Sequence, residues 1–231
     1  MIPILKYPRT PHIAGSRLQP GDEDVAVIAR EVLEACSLVV EEKLDGSNSG
    51  ISFDREGSLV LQSRGHVLTG GPRERQFNLL KRWANHHVAA LRDILAGRYV
   101  MYGEWLYARH TIAYNQLPHY FLEFDILDKD SREFLSTERR ASLLAGGPVL
   151  SVPVLPTGSV GRIGSYVGRS RFSSTETMEG LYLKQEEDGR VVGRYKYVRP
   201  GFLQAVADSD SHWTDRPIEP NTLCDNVDLF A

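Results

Sequence analysis

The chain has 231 residues, 42% hydrophobic and 25% charged, which is enough apolar material for one substantial core. Its 27 basic and 30 acidic side chains leave a formal net charge of -3, excluding a polycation that coats nucleic acid by bulk charge, so any acidic ligand must be met locally. Two cysteines, Cys36 and Cys224, exclude a disulfide framework or a cysteine-built zinc site, and with no apolar run long enough to cross a bilayer the expectation is a cytoplasmic protein.

In chain order, the first twenty residues are punctuated by Pro3, Pro8, Pro11 and Pro20 and read as an irregular segment laid over the domain. Val25, Val27, Ile28, Val32 and Leu33 recur at near-helical spacing and predict a helix over 22–35 that feeds a strand at 38–43. Apolar runs at 51–53 and 58–63 flank Asp54-Arg55-Glu56-Gly57 and predict a hairpin. A helix is expected over 77–95, stopping at Gly97, then strands at 99–105 and 120–127 and a short helix at 137–144 ended by Gly146-Gly147-Pro148. Residues 162–171 read as a loop or a short helix start. Two last strands, 180–185 and 191–197, form a second hairpin around Glu186-Glu187-Asp188-Gly189-Arg190, and the tail over 201–231 reads as draped or frayed. The whole is expected to be one domain over 1–231.

The most informative local pattern is Lys43-Leu44-Asp45-Gly46, at the end of the apolar run Leu38-Val39-Val40. A lysine that attacks phosphorus needs a strand to fix its backbone, a neighbouring carboxylate, and a glycine where the chain turns close to a nucleotide. The same tetrapeptide also arises at an ordinary Asp-Gly hairpin, so it gains weight only from what accompanies it. Later strands carry Gly103-Glu104, Phe124-Asp125, Glu179-Gly180 and Arg194-Tyr195-Lys196, and strand alternation puts Arg194 and Lys196 on one side of a sheet.

This ordered set resembles the covalent nucleotidyltransferase superfamily of ATP-dependent RNA ligases, DNA ligases and mRNA capping enzymes, and within it the RNA ligases of the phage RNA ligase 2 type. The resemblance runs from about Lys43 to Lys196. It implies an α+β fold, an antiparallel-sheet nucleotidyltransferase (ATP-grasp-like ligase adenylation) domain with flanking helices. By it, Lys43 is the lysine that becomes adenylylated, with Asp45 and Gly46 completing its motif. Arg64 matches the arginine that contacts nucleotide or RNA end, Glu104 the acid near the ribose, Phe124 the aromatic that stacks on adenine, Glu179 an acid that helps hold the catalytic metal, and Lys196 a phosphate-binding lysine. Lys184 and Arg194 join the phosphate-binding set. Arg194 departs from the family's usual lysine; it keeps the charge but replaces a compact ammonium by a planar fork. Thirty-five residues follow Lys196, too few for the OB-fold domain of DNA ligases and capping enzymes, so none is expected. The opening Tyr7-Pro8-Arg9-Thr10-Pro11-His12 is similar to that of small bacterial RNA ligases.

What the resemblance implies is ATP as AMP donor, Mg2+ or Mn2+, and three transfers: Lys43 attacks the α-phosphorus and expels pyrophosphate to give lysyl-AMP, AMP passes to an RNA 5'-phosphate, and a 3'-hydroxyl displaces AMP. RNA repair is the implied setting, with an end-healing kinase or phosphatase as a partner. A free lysine has a pKa of ~10.4, so a lowering of Lys43 toward ~7 is expected from burial and from Lys196, Arg194 and the metal. Residues 64–82, with Arg64, His66, Arg73, Arg75, Lys81, Arg82 and Phe77, offer a basic rim for an RNA backbone or a solvated helix face. A DNA ligase or capping-type enzyme and a non-catalytic nucleotide- or RNA-binding module are the competing readings. His86, His87, His110 and His119 are expected as surface or core histidines.

Overall fold

The computed structural model describes residues 4–18, 21–156, 160–202 and 217–231. Its strands are β1 (His12–Ile13), β2 (Val27–Ile28), β3 (Leu38–Lys43), β4 (Ser47–Phe53), β5 (Leu59–Ser63), β6 (Tyr99–Trp105), β7 (Phe121–Asp128), β8 (Phe134–Leu135), β9 (Leu150–Ser151), β10 (Gly180–Glu187) and β11 (Arg190–Val198). Helices α1 (Asn78–His86), α2 (Val88–Leu95) and α3 (Thr137–Leu144) flank them, with 3-10 turns at Arg30–Leu33, Pro72–Phe77 and Val160–Tyr166.

All these strands join one sheet that divides into two leaves. The larger leaf is the antiparallel run β5-β4-β6-β7, and the smaller is β3-β10-β11 with β1 and β2 added in parallel beyond β11. Between them stands β8, which pairs with β11 only at Arg190 and Val191 and with β7 at Leu127. Each leaf has its own core. Ile51, Phe53, Met101 and Ile126 from the larger leaf pack with Leu80, Trp83, Leu91 and Leu95 from α1 and α2, while Val40, Leu181, Leu183 and Ile163 pack under the smaller leaf. Side chains this buried contribute roughly 1.5–3 kcal/mol each, and they are what holds the leaves rigid.

Two of the expected elements are realised differently. Residues 22–35 form no α-helix; they give the two-residue strand β2 and a 3-10 turn. Four of the five residues behind that expectation are β-branched, which favours strand over helix, and β1 offers them backbone partners. Val27 and Val32 are left 52% and 65% exposed and only Leu33 is fully buried, so the periodicity had no helical face to bury. The helix expected over 77–95 is two helices, broken at His87 (φ -93°, ψ 19°). The lysine-bearing turn is also not a hairpin, since β3 pairs with β10 whereas β4 pairs with β5 and β6.

Of the C-terminal stretch, residues 203–216 lie outside the described residues, as do 1–3 and 19–20 of the N-terminal stretch. Residues 217–231 are pinned by Asn221, whose Nδ2 donates to Leu106 O at 2.8 Å while its Oδ1 accepts Tyr114 N–H at 3.0 Å.

Candidate active site

Where the two leaves diverge, a cavity of about 450 Å³ opens over the ends of β3, β6, β7 and β11. Lys43, Gly46, Arg64, Glu104, Phe124 and Lys196 all line it. These residues come from distant parts of the chain. The sheet register explains the convergence, because Lys43 is opposite Gly180 on β10 and Glu104 is opposite Asn48 on β4.

Lys43 ends β3, and the three residues after it cross to the other leaf. That crossing is fixed by Asp45, whose backbone N–H donates to Tyr114 Oη at 2.8 Å and whose buried Oδ2 accepts the N–H groups of Thr111 at 2.7 Å and Ile112 at 2.8 Å. Asp45 thus anchors the turn from below and is not part of the cavity wall. Gly46 is required by close approach and not by a left-handed backbone: a Cβ there would stand 2.7 Å from Trp105 O and 2.8 Å from Leu106 Cδ2.

Lys43 Nζ is 2.6 Å from Glu179 Oε1, the residue immediately before β10. Burial pushes the Lys43 ammonium down, but Glu179, Glu104 and Asp45 more than reverse this, and its pKa stands above the ordinary lysine value. The expected lowering of the nucleophile is therefore absent from the unliganded protein, because three carboxylates surround the amine while Lys196 alone faces it from the cation set. The carboxylates respond in kind. Glu179 is raised to about 6, chiefly by burial, against the opposing pull of Lys43. Glu104, raised to about 8, is likewise dominated by burial, with Glu179 and Asp45 adding to it.

Among the described residues no group of three or more His, Cys, Asp or Glu side chains could hold a metal alone. Glu179 nevertheless has a buried Oε2 without a hydrogen-bond partner, and its charge is felt by Glu104. That donor set fits a hard divalent cation of the magnesium type, which takes one or two carboxylates and draws its other ligands from water and substrate phosphates.

Lys184 and Arg194 lie apart from the cavity wall. Lys184 is fully buried, paired with Glu41 at 2.9 Å and Asp125 at 3.3 Å, and donates to Phe124 O. Arg194 shares its side of the sheet with Lys196 but stacks on Phe134, 4.0 Å from the ring centroid, and on Tyr7 at 5.2 Å. Of the basic rim, Arg64, His66 and Arg73 reach the cavity, whereas Lys81 is neutralised by Glu74 and Arg82 packs over Phe230.

Several site residues carried no sequence signal. Arg140 on α3 bridges Glu41 at 2.9 Å and Glu123 at 2.8 Å and donates to Phe124 O, so with Lys184 it holds the backbone of the cavity's aromatic residue from beneath. His110 lies behind Lys43, with Nε2 3.4 Å from Ser47 Oγ and Nδ1 4.0 Å from Asp45 Oδ1, and burial lowers its pKa. Tyr7, Pro8 and Thr10 of the opening motif cover one side of the cavity. Arg140 meets Glu41 across 99 residues and Tyr7 meets Asp125 across 118, beyond the reach of local pattern.

A family model described as RNA ligase matches residues 37–198 of the chain. No curated protein matches it. Among solved structures, a mutant of the Naegleria gruberi RNA ligase with ATP and Mn superposes with a TM-score of 0.55 at 21% identity, covering 74% of this chain and 52% of that one. An archaeal ATP-dependent RNA ligase gives a TM-score of 0.58 at 19% identity, covering 85% of this chain and 48% of that one. The chain spans about half the length of these ligases, and at such identity the likeness is one of fold.

Proposed function

Because the chain belongs to the RNA ligase family, we propose that it is an ATP-dependent RNA ligase that joins 3'-hydroxyl and 5'-phosphate ends through lysyl-AMP on Lys43. The observation that carries this reading is the placement of Lys43 Nζ, 2.6 Å from Glu179, inside a cavity that also presents Glu104, Phe124, Arg64 and Lys196. The adenine stacks on Phe124, whose carbonyl Arg140 and Lys184 keep in place. The ribose is met by Glu104. Lys196 and Arg64 donate to phosphate oxygens, where fixed cations in a recessed site stabilise charge developing in the transferred group.

The amine must shed its proton to solvent before it attacks, and Glu179 opposes that in the unliganded protein. Glu179 and Glu104 would hold a divalent cation, which would supply positive charge to the transferred phosphate. Glu179, so engaged, would no longer stabilise the Lys43 ammonium, and Lys196 favours its neutral form. Asp45 keeps the turn rigid, so the nitrogen stays aimed at the phosphate without moving a proton itself. Arg64, His66 and Arg73 at the mouth suit the phosphates of an incoming RNA end.

Incubation with α-labelled ATP and magnesium tests the reading. Acid-stable label on the wild type, lost in a folded Lys43→Ala variant and transferred on to a nicked RNA duplex, is the expected result. Label from GTP in preference to ATP, or transfer to nicked DNA alone, would move the protein to another branch of the same chemistry.

A further inference from the structure

The family match begins at residue 37, yet one wall of the cavity comes from the chain before it. In that N-terminal strap β1 runs parallel to β11 with His12 in register with Lys196, whose backbone N–H donates to Pro11 O at 2.8 Å. The strap then delivers a carboxylate to the Lys196 side chain. Asp22 Oδ2 is 2.8 Å from Lys196 Nζ and 2.8 Å from His12 Nε2.

The carboxylate end sets the direction of the hydrogen bonds. Ionised Asp22 can only accept, so His12 carries its hydrogen on Nε2 and donates to Asp22. The bare Nδ1 of the neutral imidazole then accepts the Ser16 hydroxyl at 2.6 Å, while Ser16 Oγ accepts Val198 N–H at 2.9 Å. His12 is fully buried, and only 12% of the Asp22 side chain is exposed, so neither has room to choose another partner. Arg9 closes the strap from outside, 2.5 Å from Asp24 and 3.6 Å from Asp22.

On the ligase reading above, we propose that Asp22 is a positioning residue for Lys196, gripping its ammonium through the Ser16–His12–Asp22 chain so that the remaining N–H donors stay directed at the phosphate undergoing transfer. A lysine has three donors on a flexible four-carbon stem, and one fixed bond removes most of that freedom while leaving two donors for the ligand. The contact also offsets the repulsion between Lys196 and its neighbours Lys43 and Arg64.

The test compares Asp22→Ala and Asp22→Asn for covalent label from α-labelled ATP, each alone and combined with Lys196→Ala, with thermal melts confirming a folded protein. Asp22→Ala is expected to slow single-turnover labelling at saturating ATP by about tenfold. Its KM for ATP is expected to move by less than about twofold. Asp22→Asn keeps an acceptor oxygen and should lose less, and Asp22→Ala should add no loss once Lys196 is alanine. Losses that multiply in the double variant, or a faster rate without the carboxylate, overturn the assignment. A wild type that takes no label overturns the ligase reading instead. In that event nitrogen-15 NMR of the unliganded protein decides the contact: slowed hydrogen exchange at Lys196 Nζ, lost in Asp22→Ala, supports it, and exchange indifferent to Asp22 overturns it.

Discussion

Lys43 enters the cavity as half of an ion pair, and the carboxylates around it carry the cost of that arrangement. Glu104 shows this most clearly. Its folded-state pKa of about 8 lies above the usual carboxylate value, so the folded protein holds this proton more tightly than the unfolded chain does. The resulting stability is present in full below the unfolded pKa and is lost as pH rises toward 8. Glu104→Gln removes the titration, and its Tm should stay flat between about pH 6 and pH 8.5 while that of the wild type falls. Differential scanning across that range checks it; parallel curves for the two proteins would show that Glu104 ionises normally. The same crowding of acids explains why an amine expected to be neutral is charged before substrate arrives, and sequence alone could not have revealed it, since Lys43 and Glu179 meet only through the pairing of β3 with β10.

At the scale of elements, Gly180 decides how closely β10 can lie on β11. A Cβ at that position would stand 1.9 Å from Tyr197 O, a backbone atom that cannot swing aside. Gly180→Ala is expected to destabilise the protein by about 1–3 kcal/mol, in the range of overpacked cores. It should also displace Glu179 and weaken covalent labelling more than the loss of stability explains; full labelling in a destabilised variant would contradict that coupling. This glycine and Glu179 were legible as a pair, whereas the reason for the glycine was not. Strands 38–43 and 99–105 and the helix at 137–144 were legible to the residue, because each couples a periodic apolar pattern to a clear stop, and Ser136 caps the helix by accepting Arg139 N–H. The helix read over 22–35 failed because its pattern had no tertiary surface to bury, which no local window reveals. Lys184 was read as a phosphate-binding lysine and not as a strut, since its partners Glu41 and Asp125 arrive from other strands.

For the molecule as a whole, the cavity is walled by both leaves and by the N-terminal strap, so a nucleotide seated there contacts elements from both sides of the sheet and ties them together. ATP with magnesium at about 100 times its Kd should therefore stabilise the fold by about 2.7 kcal/mol. For a chain of this size that corresponds to a Tm rise of about 5–10 °C. Calorimetry with ATP against a nucleotide-free control measures it, and an unchanged Tm at saturating nucleotide would mean the cavity does not take ATP.

The turn that follows Lys43 belongs to neither half of the sheet. Residues 44–46 are the covalent thread across the seam, tied to one side by β3 and to the other by Gly46 against Trp105. Lys43 stays on β3, opposite Gly180, while Gly46 is held against Trp105, so these three residues of backbone fix where the nitrogen stands relative to the other half.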